Sequence, residues 1–275
     1  MSNSLSLPLL EAVGLAFPES SKTTHRSWIK EGRIAVNGAV MEKATDLVRP
    51  TDKIELLQRA KFVADGLKIL FEDRHIIVLD KPAGLLSVST AFQKEDTVHG
   101  LLKRHFHPKK VYVIHRLDQD TSGVFLFALS EEAYTELKKT FEKHEIDRKY
   151  VALVEGIVSE EEGTWESYLW EDARYYVHSS QDPNKGQKAI THYEVLNRYK
   201  KTTLLQVTLE TGRKNQIRVH CQQAGHPIVG DKKYGASEIA SKRLCLHAEK
   251  LGLKHPVTGK EMVFTSPIPD FLVKK

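Results

Sequence analysis

The densest group of reactive side chains in this sequence is His115-Arg116-Leu117-Asp118-Gln119-Asp120-Thr121-Ser122-Gly123. Apolar runs flank it at residues 111–114 and 124–129, so a polar loop joins two strands that should be buried, a place where a scaffold can hold a reactive group still. A carboxylate held there can act as a nucleophile or as a proton acceptor. Asp, Thr, Ser and Gly also build turns, and on spacing alone a plain turn is the simpler reading. Asp118 and Asp120 could instead be paired carboxylates of a glycoside hydrolase. One short loop, however, does not set the separation of roughly 5 Å or more that such a pair needs.

Two further stretches carry chemistry. Arg148-Lys149-Tyr150-Val151-Ala152-Leu153-Val154-Glu155-Gly156 is a strand opened by two cations, with Tyr150 on the same face as Ala152 and Val154. Taken alone, Tyr150 reads as a core aromatic with its hydroxyl tied down. Thr211-Gly212-Arg213-Lys214-Asn215-Gln216-Ile217-Arg218-Val219-His220 runs from a strand into a helix, and a helix N-terminus with cations attracts phosphate or a carboxylate. Asn215 is the expected N-cap, Ile217, His220, Cys221 and Ala224 form the apolar stripe, and Gly225 ends the helix. Arg218 lies one residue off that stripe, so its head can reach inward; a surface ion pair of little energetic value is the plainer alternative. His220, Cys221, His226, Cys245 and His247 form only a thin His/Cys group without C-x-x-C or H-E-x-x-H spacing, so no metal is expected.

Elements must position these groups. Residues 1–60 read as a small α+β module. Pro8 opens a helix through Leu9, Leu10, Val13 and Phe17, and a second helix at 24–31 is stopped by Gly32. Asn37-Gly38 between short strands is a type I′ hairpin signal, and a further strand fits 52–56. The pattern lapses around 59–66, where the domain boundary is expected. Beyond it strands dominate, at 67–71, 75–80, 111–115, 122–129, 149–155, 164–170, 190–198 and 202–210. Besides the Asn215 helix, one capped by Ser130 carries Ala133, Leu137 and Phe141 at four-residue spacing. Strands in runs with helices inserted argue for an α+β fold with a mixed or antiparallel sheet.

The bulk numbers set the class. In 275 residues, 40% are hydrophobic and 28% charged, which is an ordinary globular balance. No apolar run reaches the roughly 18 residues of a membrane span, and residues 1–10 lack a secretory leader pattern. Two cysteines fit a reducing cytoplasm better than a disulfide framework. The formal charge is +5, and its distribution says more than its size. Residues 155–172 hold seven acids and no Lys or Arg, whereas basic residues gather at 103–110, 213–218 and 232–243. Those clusters fit either a basic side for polyphosphate with an acidic side turned away, or a solvated surface of mixed sign. No Walker loop and no G-x-G-x-x-G turn occur, so no nucleotide cofactor is implied.

In this order, HRLDQDTSG, RKYVALVEG and GRKNQIRVH resemble the three signature stretches of the RluA-type large-subunit RNA pseudouridine synthases. Leu79-Asp80-Lys81-Pro82-Ala83-Gly84-Leu85, Gly225-His226-Pro227-Ile228-Val229-Gly230-Asp231, and Leu246-His247-Ala248 with residues 267–271 fit the same family, so the match spans roughly residues 67–271. Residues 27–38 and 52–56 resemble an S4-type RNA-binding domain. The resemblance implies an S4-like module at 1–60, a pseudouridine synthase domain at 62–275, and no cofactor or metal. Asp118 would be the essential aspartate and Arg218 its ion-pair partner, and Tyr150 would stack on the base or assist proton movement at C5. Arg116 would fill the gap left by the displaced base, and His115, Arg213, Lys214, Arg148 and Lys149 would contact RNA. The expected partner is structured RNA, ribosomal of the large subunit or, alternatively, transfer RNA, met by a monomer in the cytoplasm. Asn215 stands where the family often has His. The rival reading is a non-catalytic RNA-binding protein, against which the intact Asp118, Tyr150 and Arg218 set speaks.

Overall fold

The computed structural model describes residues 6–57, 61–63, 66–89, 97–237, 241 and 243–273. The chain divides into two compact units, Met1–Lys61 and Phe62–Lys275. The first contains β1 (Leu7–Pro8), α1 (Leu9–Ala16), α2 (Lys22–Lys30), β2 (Ile34–Val36), β3 (Ala39–Val40), β4 (Leu47–Val48) and β5 (Ile54–Leu56). Leu9 and Val13 from α1, Ile29 from α2, and Ile34, Val36 and Val48 from the strands make its core. Ser21 caps α2 by accepting from the Thr24 N–H, so the helix begins at Lys22, two residues before the start expected from sequence. Asn37 and Gly38 both take positive φ, 51° and 85°, as the type I′ turn requires. The Asn37 side chain then fastens the turn to β5 through Asp52 and the Lys53 N–H.

The second unit is built on one large sheet. Its strands are β6 (Lys61–Val63), β7 (Leu67–Glu72), β8 (Ile76–Lys81), β9 (Tyr112–Val113), β10 (Ser122–Ala128), β11 (Asp147–Glu155), β12 (Glu162–Glu171), β13 (Val177–Ser180), β14 (Gln187–Arg198), β15 (Thr202–Leu209), β16 (Leu246–Lys254) and β17 (Glu261–Thr265). The order is β13-β12-β14-β15-β11-β16-β10-β8-β7-β6, with β17 on β16 and β9 on β10. β10 runs parallel to β16 and antiparallel to β8, so the sheet is mixed. The helices are α3 (Val98–Phe106), α4 (Glu131–Glu142), α5 (Gln216–Gln223) and α6 (Asp270–Val273). The chain is thus α+β, as its strand runs indicate. Among the described residues no helix is long and apolar enough to cross a membrane.

Alternation along the central strands explains the layering. Ile76, Val78, Val124, Leu126 and Ala128 face α4, whose Ala133 and Leu137 close that core. Their neighbours Ile77, Leu79, Phe125 and Phe127 turn the other way, to a second core with Leu101 and Leu102 of α3 and Ile217 and Cys221 of α5. Ser130 caps α4 by accepting from the Ala133 N–H. The strand expected at 111–115 shrinks to Tyr112–Val113, because pairing with β10 stops there and the His115 ring, not a strand backbone, accepts the Leu126 N–H. The helix α3 and the strands β13, β16 and β17 have no counterpart in the sequence reading.

Candidate active site

The polar loop after β9 is clamped from beneath. Lys81, fully buried at the end of β8, donates to the carbonyls of Pro82, Gln119 and Thr121 at 2.8–3.0 Å. Burial pulls its pKa down to about 7, against the opposing pull of Asp120 and Asp118. Ser87 donates to the Leu117 carbonyl at 2.6 Å and accepts the Leu117 N–H at 3.1 Å. Backbone atoms on both sides of Asp118 are therefore fixed, while its carboxyl remains partly open, at 24% side-chain exposure. Gly123 ends the loop at φ 111°, and a Cβ there would lie 2.1 Å from the Ala248 carbonyl oxygen. A glycine is needed for β10 to meet β16 in this parallel register.

Asp118 meets Arg218 of α5, whose Nη1 donates to Oδ2 at 3.1 Å. The remaining edge of the guanidinium forms a two-pronged contact with Asp231, Nε to Oδ2 and Nη2 to Oδ1, both at 2.7 Å. Asp231 has no side-chain exposure, and the Arg218 guanidinium also lies 5.0 Å from the Tyr234 ring centre. Burial works against the Arg218 charge, but Asp231 and Asp118 outweigh it and hold its pKa above the ordinary value. Asn215 sits at the N-cap position of α5 without capping it. Its backbone is left-handed, φ 54° and ψ 18°, and its side chain makes no bond to the helix N–H groups. Instead Nδ2 donates to Asp118 Oδ2 at 2.7 Å. The Gln216 side chain takes over at the turn, accepting from the Arg213 N–H and the Thr211 hydroxyl.

Tyr150 on β11 lines the same cleft as Asp118 and Arg218, a cavity of about 820 Å³ that also presents Arg116, Arg148 and Lys214. That volume is within the range of small-ligand sites. Burial raises the Tyr150 phenol above its ordinary pKa; Arg148 opposes this and Asp118 adds to it. Arg148, two residues away, shares the cleft face and is only 8% exposed. It lies over the Phe141 ring, and its Nε has no hydrogen-bond partner among the described residues.

Not every residue expected to touch RNA is brought to the cleft. Lys149 falls on the opposite face of β11, because strand side chains alternate, and donates to Gln206 of β15. His115 lines the cleft, but its ring is packed against Phe125 and Phe141 and accepts the Leu126 N–H. Burial, helped by Arg148, drops its pKa to about 3, so it offers no cation to a phosphate at neutral pH. Arg116 and Arg213 are exposed at the cleft, and Lys214 lies between Glu171 and the Tyr175 ring. The acidic tract is not a bare negative face, since Glu161 pairs with Arg198, Glu166 with Lys188 and Glu171 with Lys214. His220 and Cys221, weighed above as metal ligands, are core residues. Both His220 ring nitrogens meet hydroxyls, those of Ser167 and Thr191, and the Cys221 thiol is buried.

Asp231, Tyr234 and Lys81 complete the site without having been assigned roles from sequence, and the Asn215 amide, expected to cap the helix, turns to Asp118 instead. Asp231 and Lys81 stand inside family-like stretches, yet neither bond pattern is a local property of the chain.

The family model for RNA pseudouridylate synthases matches residues 75–223. A ribosomal large subunit pseudouridine synthase D of Pseudomonas aeruginosa is 36% identical, the alignment covering 93% of this chain and 87% of that protein. The protein of the same name from Vibrio cholerae is 33% identical over 96% and 88%. An uncharacterized RNA pseudouridine synthase of Bacillus subtilis is 32% identical over 91% and 86%. Among solved structures, human RNA pseudouridylate synthase domain containing 4 superposes with a TM-score of 0.61 at 25% identity, covering 74% of this chain and 90% of that one.

Proposed function

The chain belongs to the RNA pseudouridylate synthase family and is an isomerase of RNA uridines, and we propose that its substrate is large-subunit ribosomal RNA and that Asp118 carries the chemistry. The observation behind this reading is the cleft in which Asp118, its Arg218 counter-charge and Tyr150 face one cavity. The reaction breaks the N1–C1′ bond of uridine, turns the base, and joins C5 to C1′. The C5 proton leaves and N1 gains one, so neither an oxidant nor water is consumed. Asp118 serves as a carboxylate, either attacking C1′ or acting as the base that promotes glycosidic cleavage.

The base must first leave its stack, at a cost of a few kcal/mol. Stacking on the Tyr150 ring recovers roughly 1–3 kcal/mol of that. Arg116, exposed beside Asp118, can fill the vacated space, since a planar guanidinium stacks and binds phosphate together. A buried guanidinium whose Nε has no hydrogen-bond partner among the described residues, as in Arg148, suits a phosphate that arrives with the substrate. The Met1–Lys61 unit is proposed to act as an S4-like RNA-binding module, and the enzyme to work as a cytoplasmic monomer.

Mapping pseudouridines in ribosomal and transfer RNA from cells with and without the gene tests the substrate. A site missing from the large-subunit RNA is the expected result, and one missing only from transfer RNA refutes it. Complementation with Asp118→Ala should leave the site unmodified, with RNA affinity of the purified variant within a few-fold. Normal turnover by Asp118→Ala would remove Asp118 from the chemistry.

A further inference from the structure

The two oxygens of Asp118 are treated differently. Oδ2 receives Asn215 Nδ2 at 2.7 Å and Arg218 Nη1 at 3.1 Å, whereas among the described residues no donor is within hydrogen-bond reach of Oδ1. The orientation of the Asn215 amide follows from its partners. A carboxylate only accepts, so the amide nitrogen must face it. At the other end the Tyr234 hydroxyl, 3.1 Å from Asn215 Oδ1, already accepts the Val177 N–H and therefore donates its proton to the amide oxygen. Burial holds that phenol protonated, its pKa pushed up to about 12.

Both donors are anchored by one short turn. Asp231 opens it and grips Arg218, and Tyr234 closes it and grips Asn215. The Tyr234 N–H returns to Asp231 Oδ1 at 3.2 Å, which ties the two anchors together. Asn215 meanwhile holds a left-handed backbone, which Asn tolerates better than most residues, and leaves the helix without its side-chain cap. A residue that gives up its ordinary hydrogen bond and takes a rare conformation to reach a carboxylate has been recruited to that carboxylate.

We infer that Asn215 is a positioning residue for the reaction: with Arg218 it fixes Oδ2 of Asp118 and leaves Oδ1 as the oxygen that meets the nucleoside. The inference rests on Asp118 being the reacting carboxylate, and Asp118→Ala is therefore run beside it in the same assay.

Asn215→Gly separates positioning from backbone strain, because glycine adopts the left-handed backbone freely while removing the donor to Asp118 and the acceptor for the Tyr234 hydroxyl. Single-turnover and steady-state rates on the target RNA should show kcat reduced about 10- to 100-fold, the range expected for a lost hydrogen bond to a charged group. KM for RNA should remain at the wild-type value, and the melting temperature should fall by only a few degrees as the Tyr234 hydroxyl loses its acceptor. Asn215→His, which offers a ring N–H and accepts the same backbone, should recover most of the rate. Wild-type kcat in Asn215→Gly overturns the inference. So does a loss of rate that follows a fall in melting temperature and is not restored by His. Turnover by Asp118→Ala would instead overturn the underlying assignment.

Discussion

His115, three positions before Asp118, shows how a residue that lines the cleft can be built into the packing. Its ring stacks 5.0 Å from Phe141, stands edge-on to Phe125, and accepts a backbone N–H, a role open only to a neutral imidazole. The consequence is a dependence of stability on pH. In the unfolded chain the ring protonates below its ordinary value of 6.5, while in the folded protein it stays neutral down to about 3. Between those limits the unfolded state binds more protons, so the His115 contribution to stability is complete above 6.5 and lost as pH falls towards 3. His115→Phe preserves the stacking and cannot titrate. Urea unfolding at pH 7 and at pH 4.5 should show a smaller acid loss for His115→Phe than for the wild type. Equal losses would mean that the ring is protonated in the folded state.

At the scale of elements, the parallel contact between β10 and β16 determines where the loop that carries Asp118 ends, and Gly123 permits that contact. Gly123→Ala would place a methyl 2.1 Å from the Ala248 carbonyl oxygen at φ 111°, so the strands must part. Overpacking and backbone strain together should cost about 3 kcal/mol or more. Chemical denaturation measures that loss, and kcat should fall with it because Asp118 lies five residues upstream on the same loop. A variant of native stability would show that the two strands have slack. This junction also marks how far the sequence was legible. The Asn37-Gly38 hairpin, the Ser130 cap and the alternation in β8 and β10 are local patterns, and local patterns survive folding. The strand β16 meets β10 at residues 125 positions earlier in the chain, and Glu249-Lys250 break its apolar rhythm before Leu251 and Leu253 resume it. The helix α3 carries Val98, Leu101 and Leu102 at helical spacing behind a Thr97 cap, but Gly100 and a run of basic residues mask the pattern. The motifs lead to the expectation that Asp118, Tyr150 and Arg218 share one cleft, and the three line one cavity. The turn at Asp231–Tyr234 that anchors the Arg218 and Asn215 donors was not legible, because its bonds exist only once α5 has docked.

For the whole molecule, a net charge of +5 on 275 residues is too small to grip RNA by itself, so affinity must come from where the cations stand. In the first unit Lys22, Arg26 and Lys30 recur every fourth residue along α2, all exposed, and the helix contains no acid. His25 and Ile29, on the neighbouring flank of the helix, are buried in the core. Such a stripe meets phosphates without disturbing the packing, and each phosphate neutralised releases condensed counterions. Replacing Lys22, Arg26 and Lys30 with Gln should therefore leave the melting temperature close to that of the wild type while weakening RNA binding. The plot of log affinity against log salt should become shallower by about 2 units, since each contact contributes roughly 0.7–0.9. Turnover at saturating RNA should hold within a few-fold, because the stripe belongs to the first unit and the chemistry to the second. An unchanged salt slope would take the stripe out of RNA binding and leave the cations at the catalytic cleft as the source of affinity.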